Sequence, residues 1–402
     1  MRTRRSTVGH RCCFHPQAVR IAYVTETYPP EVNGVAMSVD RFVRGLRARG
    51  HSIDLVRPRQ SHEPACDSRN EWRSPGIPIP IYRDLRVGLP LVSRLKRRWN
   101  KVRPELVHVA TEGPLGWAAI RAARAGGLPV TSDFRTNFDQ YSEHYRLGWM
   151  RSVAGAYLKH FHNSTDRTFV PTAATSKALT QRGFERTEVV GRGVDTEAFS
   201  PTHASARLRA SWGADENTPV LLYVGRLAAE KNVPLAFNAY EAVRARIPGA
   251  RFVVVGDGPL HKRLAREHPN AIFTGTQRGA ALNEHYASAD IFLFPSTTET
   301  FGNVTLEALA SGLLVVAFRS GAAAVHIDDC TSGILVEPGD SQGFVAGACA
   351  LAQQFGSLGL MRDGARRAGL AASWDAVINR FEFCLTDAAH AIEAPIAGPC
   401  PA

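Results

Sequence analysis

Residues 289–318, ADIFLFPSTTETFGNVTLEALASGLLVVAF, join an apolar run, a polar loop, a helical stretch ending at Gly312 and a second apolar run. Two short apolar runs with a helix between them predict a strand–loop–helix–strand unit. Such a crossover places its two strands parallel in one sheet. A glycine directly after the last periodic residue is a common helix end. The stretch therefore predicts a parallel α/β fold.

The same alternation recurs toward the N-terminus. Residues 19–27 (VRIAYVTET) form an apolar run, a Pro/Gly loop follows, and the next helical stretch has four apolar residues on one stripe: Val39, Phe42, Val43 and Leu46. Residues 105–134 repeat the order of strand, glycine loop, helix and strand. A chain of 402 residues is too long for one core. We therefore predict two doubly wound, Rossmann-like halves, with a ligand cleft between their strand ends.

The alternation breaks at residues 189–213, where turn residues replace the apolar runs, so the domain boundary is placed at about residue 197. The expected organisation has five parts: a disordered basic tail at 1–18, an N-terminal domain at 19–197, a C-terminal domain at 198–373, a helix at 374–390 that packs back toward the N-terminal domain, and a disordered tail at 391–402.

Composition indicates a globular protein. Hydrophobic residues make up 44% of the chain and aromatic residues 8%, which excludes a disordered or fibrous protein. Every apolar run is shorter than the roughly 18 to 20 residues that cross a bilayer, and the basic N-terminus lacks a secretory apolar region. Seven scattered cysteines without a zinc or disulfide spacing predict reduced thiols and no metal. We therefore expect a cytoplasmic protein, soluble or peripheral on the membrane.

The positive charge belongs to one half. Residues 1–200 contain 32 Lys and Arg against 18 Asp and Glu, a difference of +14, whereas residues 201–402 contain 16 against 19, a difference of −3. A cationic half suits a polyanionic partner, either nucleic acid or an anionic membrane surface. An ordinary solvated basic surface is the alternative.

Special loops follow the predicted strands of both halves. Gly34 follows the first strand, where free amides can approach a phosphate. Arg226 and Lys231 lie five residues apart after the first strand of the second half, and an Arg–Lys pair can bind a diphosphate. Gly258 lies in VVVGDGPLH, which does not match the nicotinamide fingerprint.

The loop at residues 296–312 has two explanations. Glu299 and Glu307 flank a helix start, where free amides favour anions and carboxylates can accept hydrogen bonds from sugar diols. Alternatively, Asn303 simply caps the helix and Glu307 lies near the positive end of its dipole. The first explanation makes the loop a pocket for an anionic, hydroxyl-rich ligand.

Taken together, the motifs resemble one known family. They are YVTETYPPEVNGVAMSVDRFVRGLRARGH (23–51), VHVATEGPLGW (107–117), TSDFRTNFDQYSEHY (131–145), GRGVDTEAFSP (191–201), YVGRLAAEKN (223–232), VVVGDGP (253–259) and PSTTETFGNVTLEALASG (295–312). They are similar to the motifs of the family 4 glycosyltransferases, which are retaining enzymes with the GT-B fold. This group contains bacterial GDP-mannose-dependent lipid mannosyltransferases and sulfolipid or glucuronosyl-diacylglycerol synthases. The last stretch contains the E-x7-E signature, and the resemblance covers about residues 19–385.

The resemblance implies residue roles. Arg226 and Lys231 would bind the diphosphate of a nucleotide sugar, which is a substrate and not a cofactor. Glu307 would hold the ribose and Glu299 would orient the donor sugar. The remaining donor-binding candidates are Gly34, Gly258, Phe301, Gly302, Asn303 and Val304. The family is thought to need no metal, because the cations take the place of a divalent ion.

One departure from the family concerns the reaction itself. Many relatives have HTNF where this chain has RTNF, so Arg135 replaces a histidine expected beside the reacting sugar. Arginine is permanently charged and cannot act as a general base, but it can stabilise a departing phosphate or bind an acidic sugar. Arg135 joins Glu299, Arg226 and Lys231 as a catalytic candidate. The expected mechanism is front-face attack, in which the leaving diphosphate accepts the proton of the acceptor hydroxyl.

The segment LPLVSRLKRRWNKVRP (89–104) indicates a membrane-facing helix. Apolar residues recur at helical spacing among basic ones, which is typical of an interfacial helix on anionic lipid. The candidate membrane or acceptor residues are Arg94, Lys96, Arg97, Arg98, Trp99 and Lys101. The alternative is a core-packing helix with basic solvent positions.

Two other functions are alternatives to hexosyl transfer. A nucleic-acid-binding protein would explain the charge but not the special loops at strand ends, and the basic segments lack an aromatic stacking platform. A sugar-nucleotide epimerase of the same fold would need no acceptor. We therefore predict transfer of a hexose from GDP-mannose or a UDP-sugar to a hydroxyl acceptor, with a lipid as the preferred acceptor.

Overall fold

The computed structural model describes residues 18–31, 34–60, 63–78, 86–135, 148–296 and 301–390. Within residues 148–152 only the backbone is described.

The first half of the chain forms a seven-stranded parallel sheet in the order β3-β2-β1-β6-β7-β8-β9. Its strands are β1 (Arg20–Val24), β2 (Ser52–Pro58), β3 (Glu71–Ser74), β6 (Leu106–Val109), β7 (Val130–Asp133), β8 (Arg167–Val170) and β9 (Thr187–Val189). A separate antiparallel hairpin consists of β4 (Gly76–Pro78) and β5 (Arg86–Gly88). The described helices of this half are α1 (Gly34–Ala48), α2 (Val92–Val102), α3 (Pro114–Ala125), α4 (Gly148–Asn163) and α5 (Ala173–Gln181).

The second half forms a six-stranded parallel sheet in the order β12-β11-β10-β13-β14-β15. Its strands are β10 (Val220–Val224), β11 (Arg251–Val255), β12 (Ile272–Gly275), β13 (Ile291–Phe294), β14 (Leu314–Phe318) and β15 (Gly333–Val336). Its described helices are α6 (Ala206–Ser211), α7 (Val233–Arg246), α8 (His261–Glu267), α9 (Gly279–Ala287), α10 (Asn303–Ala310), α11 (Gly321–His326), α12 (Ser341–Gln353) and α13 (Gly359–Ala371). Short 3-10 turns lie at Pro201–His203, Ala229–Lys231 and Phe355–Ser357.

The strand orders confirm the predicted fold class. Leaving the hairpin aside, each sheet starts with its third strand, runs inward to its first, and continues outward from its fourth, which is the Rossmann order. Strands such as β10 and β13 are buried along their whole length, as expected for parallel strands covered by helices on both faces. The order reverses between β1 and β6 and between β10 and β13. Ligands in such sheets bind outside the carboxyl ends of the strands at these switch points.

Two chain segments connect the halves, and they lie side by side. The Val194 amide donates to the Ala372 carbonyl at 3.0 Å, and the Trp374 amide donates to the Val194 carbonyl at 3.2 Å. A Cβ added to Gly193 would lie 2.6 Å from the Trp374 Cα atom, so only glycine fits at this crossing.

The last described helix, α14 (Trp374–His390), packs on the first half. Its buried hydrophobic residues share a core with β1, β2, β6 and α1, and they are Ile378, Phe381, Cys384, Leu385, Ala388 and Ala389. The chain therefore crosses from the first half to the second and returns to the first.

Candidate active site

The loop after β10 contains the predicted cation pair. Arg226 is exposed (64% of its side chain) and its guanidinium pairs with Glu230. Lys231 ends the 3-10 turn, and Asn232 follows in the left-handed conformation (φ 49°) before α7 begins. The side-chain amide of Asn232 donates a hydrogen bond to the Pro295 carbonyl at 3.4 Å, which connects this loop to the end of β13. Both cations therefore lie at the carboxyl edge, beside the β10/β13 switch point.

The loop after β11 packs directly on the loop after β10. The Leu227 amide donates to the Asp257 carbonyl and the Leu260 amide to the Leu227 carbonyl, both at 2.9 Å. A Cβ on Gly258 would lie 2.5 Å from the Leu227 carbonyl oxygen. Glycine at 258 is therefore required by the close approach of two main chains, whether or not a donor binds there.

The loop after β13 enters α10 through a glycine. Gly302 is the N-cap residue and adopts φ 86°, a left-handed conformation that glycine reaches without strain. The helix-capping alternative assigned Asn303 as the N-cap residue, but Asn303 is the first residue of the helix. Among the described residues no side chain caps this helix start. Its amides and the positive end of its dipole are therefore suited to an anion.

Phe301 anchors that loop and does not face solvent. Its side chain is 2% exposed. Its carbonyl accepts a hydrogen bond from the Ala322 amide at 2.6 Å, and a Cβ on Gly321 would lie 2.5 Å from the same oxygen. Phe301 is thus fixed against the start of α11, so any donor contact from this residue comes from its main chain.

Glu307 lies one turn into α10; the residue as a whole is partly exposed, whereas its carboxyl group is enclosed by protein. The hydroxyl of the buried Tyr286 donates to its Oε2 at 2.9 Å. Burial raises the pKa of Glu307 to about 7, against the opposing effect of the Tyr286 hydrogen bond. The pKa of Tyr286 is raised by burial and by the adjacent carboxylate, so the hydroxyl stays a donor. The sequence did not reveal Tyr286, because it is one buried position of α9 with no motif around it.

One predicted site residue lies outside the described part of the chain, and two others are described away from any ligand contact. Glu299, the first carboxylate of the E-x7-E pattern, lies outside the described residues, as do the three residues of the RTNF segment that follow Arg135. Gly34 is described as the exposed first residue of α1, and a Cβ there would meet open space. Val304 is partly buried in the first turn of α10.

Arg135 is buried at the carboxyl end of β7. Its side chain is 9% exposed, and its Nε donates to the Asp133 Oδ2 at 2.8 Å. The guanidinium also lies 5.5 Å from the centre of the Phe42 ring. His108 lies 3.4 Å from the same Asp133 oxygen. Arg135 is therefore held by its own counter-charge at the carboxyl edge of the first sheet.

The charges of this pair stabilise one another. Burial alone would raise the pKa of Asp133, but the Arg135 guanidinium and His108 outweigh that effect and hold the pKa at about 2. The pair is therefore ionised and nearly neutral as a unit, so an acidic sugar would meet less net charge than Arg135 suggests in the sequence.

The membrane-facing assignment of α2 needs correction at two residues. Trp99 is 4% exposed and packs, like Leu95, in the core with α3. Arg98 is also buried, its Nε donating to Asp54 at 3.0 Å, and it pairs with Asp67. Trp99 and Arg98 are thus unavailable to a lipid surface, because the apolar stripe and one of its arginines serve the fold.

The remaining basic residues of the candidate set are exposed on the outer face of α2. They are Arg94, Lys96, Arg97 and Lys101. Arg94 also lies 5.3 Å from the centre of the Trp72 ring and pairs with Asp67 at 3.3 Å. Among the described helices, none combines the length and apolar composition needed to span a bilayer.

Solved structures share this two-sheet architecture. Sucrose-phosphate synthase from Thermosynechococcus elongatus superposes with a TM-score of 0.71 and 18% identity, covering 91% of this chain and 98% of that one. The Anabaena protein HepE in complex with UDP gives 0.70 and 19%, covering 92% and 100%. At these identities the likeness establishes the fold alone. The class is that of two-domain GT-B proteins, with the candidate site at the carboxyl edge of the second sheet.

Sequence comparison establishes the family. A model described as Glycosyltransferase Family 4 matches residues 32–198, and one described as Glycosyl transferases group 1 matches residues 218–354. A GDP-mannose-dependent alpha-mannosyltransferase of Mycolicibacterium smegmatis is 34% identical over 91% of this chain and 98% of its own length. Sulfoquinovosyl transferase SQD2 of Arabidopsis thaliana is 31% identical over 80% of this chain and 64% of its own length. The chain belongs to the family 4 glycosyltransferases, as the sequence resemblance predicted.

Proposed function

We propose that this glycosyltransferase moves a hexose from a nucleotide-diphosphate sugar to a hydroxyl of a membrane lipid or glycan, with retention of the anomeric configuration and without a metal ion. The observation that supports the donor class is the start of α10, which no described side chain caps, beside the Arg226–Lys231 loop. An anion-binding helix start and two cations at adjacent strand ends suit a diphosphate. Glu307 one turn further suits the ribose hydroxyls.

GDP-mannose is the preferred donor, and UDP-sugars are the alternative. The name of the Mycolicibacterium smegmatis relative specifies GDP-mannose. The name of the Arabidopsis thaliana relative specifies sulfoquinovosyl transfer. The Asp133–Arg135 pair disfavours a donor with an acidic sugar. Asp133 already neutralises the Arg135 guanidinium, which would otherwise attract the carboxylate of such a sugar. A neutral hexose is therefore the better fit to this ion pair at the end of β7.

The proposed mechanism is front-face attack. The acceptor hydroxyl approaches the anomeric carbon from the side of the leaving group, and the departing diphosphate accepts the hydroxyl proton. Arg226, Lys231 and the α10 amides stabilise the negative charge that develops on the diphosphate. In this mechanism the two halves contribute position and charge, and neither contributes a covalent nucleophile.

A thermal-shift panel tests the donor class. GDP-mannose, UDP-glucose, UDP-glucuronate and the corresponding nucleoside diphosphates are each added to the full chain, since a ligand of the native state raises the melting temperature by mass action. At least one nucleotide sugar should raise it. No shift with any of them would contradict the proposal. Incubating the selected donor alone separates transfer from epimerisation, because only an epimerase converts the sugar without an acceptor.

We also propose that the exposed basic face of α2 binds an anionic membrane surface and brings a lipid acceptor to the enzyme. Each exposed cation near such a surface contributes on the order of 1 kcal/mol. Some relatives act on lipids by name, such as alpha-monoglucosyldiacylglycerol synthase of Acholeplasma laidlawii, 25% identical over 79% of this chain and 84% of its own length. The buried apolar stripe indicates contact through charge and not through insertion.

Sedimentation with vesicles tests this face. The protein should sediment with phosphatidylcholine vesicles containing phosphatidylglycerol at low salt and be released at high salt. Glutamine at the four exposed positions of α2 should abolish sedimentation. A control replaces four exposed arginines of the second half by glutamine, namely Arg207, Arg263, Arg266 and Arg367. Equal losses in both variants would show a net-charge effect and contradict a specific face.

A further inference from the structure

A cationic groove lies on the outside of the first half, between α2 and the loop that leads into β3; it is called the α2–β3 groove. Its volume is about 950 Å³, which exceeds the space that a phosphate group requires. β3 is an edge strand of the first sheet, and the groove extends to Trp72 near the start of this strand. The groove therefore lies toward the amino edge of this sheet, whereas the candidate donor site lies at the carboxyl edge of the second sheet.

The lining of the groove has an excess of positive charge. It contains five cations and one carboxylate, that of Asp67. Asp67 pairs with Arg94 at 3.3 Å and also with Arg98. Arg98 in addition pairs with the buried Asp54. The remaining three cations are exposed and pair with no carboxylate of the described residues: Arg69, Arg97 and Lys101.

Arg98 fixes the width of the groove. Its guanidinium donates to the Asp54 carboxylate on β2 at 3.0 Å and to the Ser68 carbonyl on the facing loop at 2.5 Å. The pairing of Arg94 with Asp67 joins the same two walls one turn earlier along α2. Because both walls are held in place before a ligand binds, little ordering is needed on binding, which favours affinity.

The donors of this groove suit a phosphate monoester. Guanidinium groups bind two phosphate oxygens at once, and an ammonium group adds a point charge. Three cations without a described counter-charge favour a dianion over the single charge of a phosphodiester. The aromatic ring in the described lining, that of Trp72, is 2% exposed and lies 5.3 Å from the Arg94 guanidinium, so it offers no open face to a nucleic-acid base.

We propose that the α2–β3 groove binds a phosphate monoester through Arg69, Arg97 and Lys101. A lipid headgroup and a soluble phosphate ester present the same dianion, so both are sources of this ligand. The groove is separate from the donor site, so its role does not rest on the proposed donor. It is also more specific than a general attraction of α2 to anionic membranes, because Lys96 lines another groove on the other side of this helix, together with Arg103.

Calorimetric titration of the full chain with glycerol 3-phosphate tests the soluble source. The groove variant, Arg69→Gln/Arg97→Gln/Lys101→Gln, should bind this ester at least about tenfold more weakly, the lower end of the range for hydrogen bonds to a charged group. Its melting temperature should not change, because the three side chains make no hydrogen bond to the described residues.

Two controls locate the binding. The charge-matched control, Lys96→Gln/Arg103→Gln/Lys177→Gln, removes three exposed positive charges of the same half outside the groove and should bind like the unaltered protein. Lys231→Ala removes a cation of the candidate donor site and should also leave the affinity for glycerol 3-phosphate unchanged.

Sedimentation with vesicles tests the lipid source. The phosphatidylcholine vesicles contain either phosphatidic acid, a phosphate monoester, or phosphatidylglycerol, a diester, at contents that give the same zeta potential. The unaltered protein should bind the phosphatidic acid vesicles several-fold more tightly. The groove variant should lose this preference, and the charge-matched control should keep it.

A loss of either signal in the groove variant alone supports the site, and the probe concerned identifies the source. If the unaltered protein neither binds glycerol 3-phosphate nor prefers phosphatidic acid, the proposal is overturned. Equal losses in the groove variant and the charge-matched control also overturn it, as does a loss of glycerol 3-phosphate binding only in Lys231→Ala, which would place the ester in the donor site. Each of these results leaves the donor class intact, because the thermal-shift panel tests that class separately.

Discussion

Removing the Tyr286 hydroxyl should shift the pH dependence of donor binding. The Glu307 carboxylate accepts the Tyr286 hydrogen bond and, in the proposed site, those of the ribose hydroxyls. A carboxylate is a better acceptor than a carboxylic acid, so the donor binds best when Glu307 is ionised. Donor affinity should therefore rise as the pH passes through about 7, the pKa of Glu307.

The size of the effect follows from the ionised fraction. With a pKa of about 7, roughly a tenth of the carboxyls are ionised at pH 6 and nine-tenths at pH 8, so apparent affinity should increase about tenfold between these values. The Tyr286→Phe variant loses a hydrogen bond to a charged group, about 1.5 to 3 kcal/mol, which moves the Glu307 pKa upward by roughly one to two units. The midpoint of the binding curve should move by the same amount.

Folding stability should respond in the opposite direction. Because the folded pKa of Glu307 is raised above its ordinary value of 4.5 to about 7, the folded protein binds more protons than the unfolded chain between these values. This carboxyl therefore makes the free energy of unfolding fall as the pH rises through that window. Thermal unfolding without donor measures this slope, which Glu307→Gln should reduce.

Calorimetric titration with the intact nucleotide sugar selected by the thermal-shift panel measures the binding curve. A nucleoside diphosphate is unsuitable, because its terminal phosphate titrates near pH 6 to 7 as phosphomonoesters do. Glu307→Gln is the control, since its side chain cannot ionise and its affinity should not vary with pH through this carboxyl. Wild-type affinity that is flat from pH 6 to 8, or an unmoved midpoint in Tyr286→Phe, would refute the reasoning.

Three further substitutions test the framework of the site. Gly193→Ala should destabilise the fold by about 1–3 kcal/mol through overpacking against Trp374, measured as a lower melting temperature. An unchanged melting temperature would contradict the close contact between residues 193 and 374. Asp133→Asn should cost roughly 3–5 kcal/mol, because it leaves the Arg135 charge buried and unpaired, and denaturant unfolding that shows no loss would contradict the tight pair. Gly258→Ala should lower donor affinity and stability together, since a methyl group there pushes two site loops apart; loss of affinity alone would indicate direct donor contact.

The fold was predictable because its signals are local. The five residues of β10 are all buried, and such a strand reads as a continuous apolar run in the sequence. The glycine at 302 and the cations at 226 and 231 could be assigned to loops because each lies between such a run and the next helical stretch. The family resemblance combined these loops into one site, and the comparisons confirmed the family.

The errors concern contacts between distant residues. The spacing of Leu95 and Trp99 is the same for a helix packed on a core and for one lying on a membrane. Nothing near Arg98 shows that its partner is Asp54, in another element. Pairing over such separations decides burial, so local periodicity could not distinguish the two settings.

Two site features also depend on tertiary contacts. The contact of Tyr286 with Glu307 joins helices on either side of β13. Arg135 could be recognised as unusual from its position in the RTNF motif, but its neutralisation by Asp133 depends on how the two side chains are oriented after β7.

Titration of the unaltered protein and of Lys231→Ala with GDP-mannose and UDP-glucose tests the assignment of the donor site most directly. We predict that the unaltered protein binds at least one of the two, and that Lys231→Ala binds it at least tenfold more weakly at an unchanged melting temperature. Lys177→Ala, at an exposed position on α5 of the other half, should bind like the unaltered protein. Equal affinity in Lys231→Ala and the unaltered protein would contradict a diphosphate site at the carboxyl edge of β10 and β13.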